Sequence, residues 1–347
     1  MVRRVLRLRA QLVVLLVLVL ARAGSADGHV GAHGQDAPPT AEAVAAAARE
    51  PTPLLRGKAF YEAGAMERAR PELDAVLLAA PQDTVALRYR AMVHAHERRF
   101  KRAFADFDAA LASARRPADR EAALYYSGDA YFQAGIYDKA VARFEALLVE
   151  APNHVDARCY LGEVRFKQGR KVQAAEAFRA AIRVDAKSAW AQHSLADVLA
   201  QLNQPDEAVR AYRADLALVP HCQTARANLA KVLEGTGRLD EALRELYTSL
   251  AYHPGDARAH AAMGRILLAK NEPLRAYAEY ARALDFAPRD DEATGGLRAA
   301  KVRVEAAVGA IATSRELVFW RFIGWWLPAL VVAGAFMLRA RRGRPRA

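Results

Sequence analysis

Small and large apolar residues recur along this chain in fixed columns, and the columns predict its elements. Ala69, Ala103, Ala140, Ala174, Ala208, Ala242 and Ala276 follow one another at 34 residues, with a single 37-residue step after Ala103. Four residues after each alanine stands a large apolar side chain: Leu73, Phe107, Phe144, Phe178, Tyr212, Leu246 and Tyr280. Twelve before it stands a small one: Gly57, Ala91, Gly128, Gly162, Ala196, Ala230 and Gly264. Twelve after it, Pro81, Pro152, Pro220, Pro254 and Pro288 fill the column, with Arg115 and Ala186 in the other two units. Gly64, Gly135, Gly169 and Gly237 add a turn signal in between. A fixed period of this length means stacked units, each of which buries its apolar face only against its neighbours. Each unit reads as two amphipathic helices. The small residue lets the backbones approach, the glycine ends the first helix, and the proline stops the second.

The third unit carries Leu124, Ser127, Gly128, Tyr131, Gly135, Tyr137, Ala140, Phe144 and Pro152, and the fourth Leu161, Gly162, Gly169, Ala174 and Phe178. This pattern resembles the tetratricopeptide repeat, W-x2-L-G-x2-Y, then A-x3-F, then P. The expected fold is all-α, an α-solenoid of seven helix-turn-helix repeats at 50–83, 84–117, 121–154, 155–188, 189–222, 223–256 and 257–290. Residues 118–120 are expected as an insertion at a turn. The first repeat is the weakest match, with Pro53 where an aromatic is usual and Pro71 early in its second helix. Residues 291–316 begin like another first helix without a second. Arg298, Lys301, Arg303 and Glu305 suit them to the polar cap that a repeat array needs.

The two ends carry the targeting signals. Residues 1–23 read as a secretory signal: Arg3, Arg4, Arg7 and Arg9, an apolar run from Leu12 to Ala21, and a small-x-small site at Ala21-Arg22-Ala23. Residues 24–49 read as a flexible linker, low in complexity over 24–40. Residues 317–338 are apolar and, at 1.5 Å per residue, about 33 Å long as a helix, enough for a transmembrane span. Trp320, Trp325 and Trp326 suit an interface, and the tail 339–347 holds five arginines and no acid. These signals predict a single-pass membrane protein with its repeats outside the cytoplasm (periplasmic in a bacterium) and its C-terminus inside. The net charge of +12 belongs to those ends. Residues 24–314 carry 39 basic and 38 acidic groups, so nucleic acid is not an expected partner.

Chemistry is sparse. His94, His96 and Glu97 resemble part of a zinc-protease helix, but Phe100 stands where the second histidine ligand belongs. Neither a phosphate-cradling loop nor a nucleophile elbow is present, so no enzyme, catalytic residue or cofactor is expected. Cys159 and Cys222 read as buried small hydrophobes set too far apart for a disulfide, with an intermolecular bridge as the alternative. Cleavage after Ala26 would expose Asp27-Gly28-His29, a square-planar set for Cu(II) or Ni(II), while cleavage after Ala23 removes that option.

What the array binds follows from the resemblance. In this family the concave face is built from positions 2, 5, 9, 12 and 13 of the first helices. That implies peptide-groove residues Tyr125, Asp129, Phe132, Gln133, Glu163, Phe166, Lys167, Trp190, His193 and Asp197 in repeats three to five. Several of these aromatics have packing against neighbouring repeats as their alternative role. The clamp that some members use for chaperone C-termini is poorly matched. Asn228 and Arg258 fit it, but His193, Asp197 and Ala262 do not. The resulting expectation is a non-enzymatic scaffold that assembles envelope or membrane proteins. Alternatives are an exported protein whose C-terminal helix is a removable sorting signal, as in exopolysaccharide-linked export, or an adaptor of the endoplasmic-reticulum lumen.

Overall fold

The computed structural model describes residues 40–306. The signal at 1–23, most of the expected linker, the end of the capping helix, the expected span 317–338 and the basic tail lie outside the described residues. Those described are helical throughout, with no strand among them. They divide into two compact units, one ending at Val232 and one beginning at Leu233.

The first unit opens with a short helix, α1 (Ala41–Ala47), capped by the Thr40 hydroxyl. This helix falls inside the span 24–49 that was expected to be flexible linker. Five alanines and an oxygen cap favour helix there. Hairpins follow in regular order: α2 (Pro53–Glu62) with α3 (Met66–Ala79), α4 (Thr84–His96) with α5 (Phe100–Ser113), α6 (Pro117–Gln133) with α7 (Tyr137–Glu150), α8 (Val155–Lys167) with α9 (Lys171–Val184), and α10 (Ala189–Gln201) with α11 (Pro205–Leu218). Helix α12 (Gln223–Gly235) completes the unit and runs past its boundary. From α1 to α11 each helix packs on the next, and first helices α2, α4, α6, α8 and α10 also touch in sequence, which lines them up along one side.

The second unit contains α13 (Leu239–Tyr252), α14 (Ala257–Ala269), α15 (Pro273–Phe286) and a helix over 291–306, here α16. Its core is built on Leu246, Met263, Ile266, Leu267 and Tyr280. Helix α16 crosses so closely over Tyr280 that a side chain at Gly296 would collide with the ring. Arg303 donates to the Leu268 carbonyl at 2.9 Å, which ties this capping helix to α14.

The columns explain the packing. All seven column alanines are fully buried, and the large residues four positions on are at most 3% exposed. A Cβ added to Gly57, Gly128, Gly162 or Gly264 would lie 2.6–2.8 Å from the large residue of its own hairpin: Leu73, Phe144, Phe178 or Tyr280. That close approach is what the small-residue column provides. Each buried large side chain stabilises its hairpin by about 1.5–3 kcal/mol relative to exposure.

One boundary differs from expectation. Residues 118–120 do not form a turn. They lengthen α6 to 17 residues, where α4, α8, α10, α12 and α14 have 13. Pro117 takes the first helical position, where its missing N–H costs nothing, and Arg116 pairs with Asp119 at 2.7 Å. Pro71 also sits deeper than expected, as the sixth residue of α3.

Candidate functional site

The first helices of repeats three to five place their side chains in two layers. The lower layer is aromatic and centres on Tyr160 of α8, which is 2% exposed. Phe144 stacks on it at 5.0 Å. Tyr125, Phe132 and Trp190 meet it edge-on at 5.6, 5.9 and 5.0 Å. Tyr125 also stacks on His154 at 5.3 Å. Three of the expected groove aromatics, from α6 and α10, therefore converge on one ring and are half-buried against it. Burial, aided by Asp129, raises the Tyr160 hydroxyl well above its ordinary pKa, so it stays protonated.

The upper layer is polar. Asp129, Glu163 and Asp197 occupy the same position in three successive repeats. The buried Asp129 accepts from Gln133 Nε2 at 2.8 Å. Glu163 accepts from the Ser194 hydroxyl of the next repeat at 2.8 Å. Asp197 accepts from Tyr212 and, at 3.0 Å, from Asn228 of the following repeat. The acids therefore join repeat to repeat as well as lining the face. Gln133 and Lys167 are exposed, at the ends of α6 and α8, and Phe166 beside Lys167 is half-buried. His193 lies between Asp215, 2.8 Å from its Nδ1, and Asp197, 3.6 Å from its Nε2. Desolvation lowers the pKa of His193, but the bond to Asp215 and the charge of Asp197 outweigh it, and the net shift is upward.

Tyr160, Ser194, Tyr212 and Asn228 organise this face and were not among the residues expected to form it. Tyr160, Ser194 and Asn228 each fall one helical turn from a groove position, while Tyr212 is the large residue of its column, which signalled packing and not a place on this face. Asn228, one of the two clamp-compatible residues, is engaged by Asp197.

The second-helix side carries a different feature. A cleft of about 410 Å³ opens between α9 and α11, floored by Leu195 and Leu199 of α10 and rimmed by Arg179, Arg183 and Arg210. Arg179 pairs with Glu207 at 2.7 Å, while Arg183 and Arg210 are exposed.

The histidines of the protease-like stretch do not converge. His94 is buried and His96 is exposed. Desolvation lowers the His94 pKa against the pull of Asp106 and Glu97. Both cysteines are buried thiols and are not bonded to each other. Burial pushes Cys159 up to about 12, so it is inert at neutral pH.

Comparison with known proteins agrees with the hairpin geometry. No curated protein matches the chain. Among solved structures, the C-terminal part of a TPR repeat-containing protein from Cytophaga hutchinsonii is similar, with a TM-score of 0.59 and 14% identity over 70% of this chain and 99% of that one. A tetratricopeptide repeat protein from Parabacteroides merdae has a TM-score of 0.49 and 18% identity, covering 72% and 97%. A MamA protein has a TM-score of 0.46 and 22% identity, covering 49% and 92%. At 14% identity the likeness to the Cytophaga protein concerns the fold alone. Two tetratricopeptide repeat family models match the sequence, one over residues 54–120 and 125–189, the other over 199–266 and 235–301. With those matches spanning well over half of the sequence and the repeating hairpins beneath them, the chain belongs to the tetratricopeptide repeat family.

Proposed function

We propose that this protein is a non-enzymatic scaffold that binds other proteins through the first-helix side of repeats three to five. The observation that carries the reading is the two-layer surface there. A rigid aromatic layer fixes the backbone, and polar side chains of Gln133, Glu163, Lys167 and Asp197 are offered beside it, with the buried Asp129 beneath them. Such a surface suits an extended peptide or a helix, with hydrogen-bonding groups repeated at the spacing of the helices. The aromatic anchors are partly spent on holding the repeats together, so specificity falls to the polar layer and to the exposed edges of Trp190 and Phe132.

The sequence of the two ends supports an extracytoplasmic display of this surface. Under this reading residues 1–23 direct export, 317–338 form a retained membrane span, and the arginine tail stays in the cytoplasm. Partners are then envelope or membrane proteins. Among the described residues no helix is long and apolar enough to cross a membrane. If the terminal helix is instead a sorting signal, the mature protein lacks it, and intact mass separates the two cases.

The test is a crosslinking pull-down from native membranes with the full chain as bait. A Gln133→Ala, Lys167→Glu variant is the control, because both side chains are exposed and their replacement leaves the aromatic layer intact. Trp190→Ala is a poorer control, since it also removes a ring packed on Tyr160. The reading predicts partners that are lost with the variant. Retention of the same partners by both proteins would reject the first-helix side as the binding surface.

A further inference from the structure

The repeats act as internal controls for one another, and repeat five breaks their pattern in one place. Seven residues after the column alanine the other repeats carry Val76, Ala110, Leu147, Ala181, Ser249 and Ala283. Repeat five carries Asp215, fully buried. A carboxylate moved out of water into an apolar column is costly unless charge or a cation compensates it.

Two neighbours meet it there, and one of them departs from its own column. His193, from α10, brings its Nδ1 to 2.8 Å from Asp215 Oδ2. Cys222 takes the N-terminal cap of α12. In that column Asp83, His154, Ser188, Asp256 and Asp290 each accept a bond from the backbone N–H three residues on. Repeat five alone puts sulfur there. One ligand atom each from His193, Asp215 and Cys222 lies within 4.8 Å of the other two, in a half-buried to buried setting.

We infer that His193, Asp215 and Cys222 form a metal site, and that its ion is Zn(II) or a similar borderline divalent cation. Imidazole nitrogen, carboxylate oxygen and thiolate sulfur are the ligands zinc takes, at about 2.0–2.3 Å each. Around one tetrahedral ion they would stand about 3.3–3.7 Å apart. Reaching that from the present positions requires the His193–Asp215 pair to open by roughly half an ångström and the thiol to close in by up to about 1.3 Å. Both are within the reach of side-chain rotation. The other cysteine, Cys159, is buried elsewhere in repeat four and held protonated by that burial.

Three protein ligands leave a fourth position for water or a partner's side chain. The ligands come from α10, α11 and the start of α12, so the ion would fasten repeat five to the start of repeat six. It would also replace the His193–Asp215 proton as the compensation for the buried carboxylate. This inference does not depend on which face binds partners.

The test uses the full chain, purified reduced and stripped of metal, titrated with Co(II) and then Zn(II). Expected are one equivalent of Co(II) bound with a thiolate charge-transfer band and the intense visible bands of tetrahedral cobalt, their displacement by Zn(II), and a higher Tm with metal. Cys159→Ser should keep all of these. Cys222→Ser should lose the charge-transfer band, and both it and His193→Gln should weaken binding at least ~10-fold, since even outer-shell partners of a metal are worth ~10–100-fold. Circular dichroism shows whether each variant stays folded. The band in Cys159→Ser assigns the thiolate even if one variant does not fold. Absence of saturable binding by the wild type, or unchanged affinity in folded Cys222→Ser and His193→Gln, overturns the inference. A band lost with Cys159→Ser does so as well.

Discussion

Seven residues share one backbone conformation at the turn between paired helices, and only four of them are glycine. Gly64, Gly135, Gly169 and Gly237 have φ of 74–77°, and Arg98, Asn203 and Asn271 occupy the same column at 57–60°. The left-handed turn is imposed by the crossing of the two helices, so every repeat must adopt it whatever its residue. Glycine does so without strain, and asparagine is the next most tolerant. Arg98 pays the full cost of its Cβ. Arg98→Gly should therefore stabilise the protein by about 1 kcal/mol, read as a higher urea midpoint at unchanged slope; an unchanged or lower midpoint would show that the Arg98 side chain repays its strain. The glycines and the fully buried alanines were legible in the sequence because a single atom decides them. Arg98 was not legible as a turn, since nothing local in arginine favours that conformation. Tyr160, the hub of the aromatic layer, was equally hidden: its role depends on rings from both neighbouring repeats.

Every second helix, from α3 to α15, is 14 residues long, and the first helices absorb the irregularities. The three extra residues at 118–120 became a helical turn because they form helix readily and Pro117 starts one. A register written from repeat columns places an insertion between elements by default, and so misses this. Helix α1 escaped for a related reason, lying outside the period altogether. Ion pairs join elements where apolar columns cannot reach. Arg70 meets Glu97 and Arg143 meets Asp108 within the first unit; Arg265 meets Glu234 within the second. As surface pairs they contribute little individually, and they align neighbours rather than hold them. Pro71 is the weak point of its element. At the sixth position of α3 it removes a backbone bond that a proline at the first position would not. Pro71→Ala should stabilise the first hairpin by about 1–3 kcal/mol, seen as slower hydrogen exchange in α2 and α3 with little change in later repeats. Unchanged exchange there would mean that α3 already accommodates the proline.

For the whole molecule, the all-α array of repeated helical hairpins was readable from one period, because a stacked array repeats its energetics as well as its sequence. The proposed binding surface was readable only as a set of positions. The same residues that could meet a partner also meet each other, and only the structure separates Trp190, turned onto Tyr160, from Lys167, open to solvent. With charges nearly balanced between residues 24 and 314, a protein partner suits the array better than a polyanion. The two candidate faces differ in chemistry: acids and amides over aromatics on the first-helix side, arginines over leucines in the cleft between α9 and α11. A photo-crosslinking amino acid placed singly at Gln133, Lys167, Arg183 or Arg210 in the full chain, in its native cell, decides between them. The account predicts discrete adducts from 133 and 167 and none from 183 and 210. Adducts confined to 183 and 210 would contradict it and move recognition to the arginine-rimmed cleft.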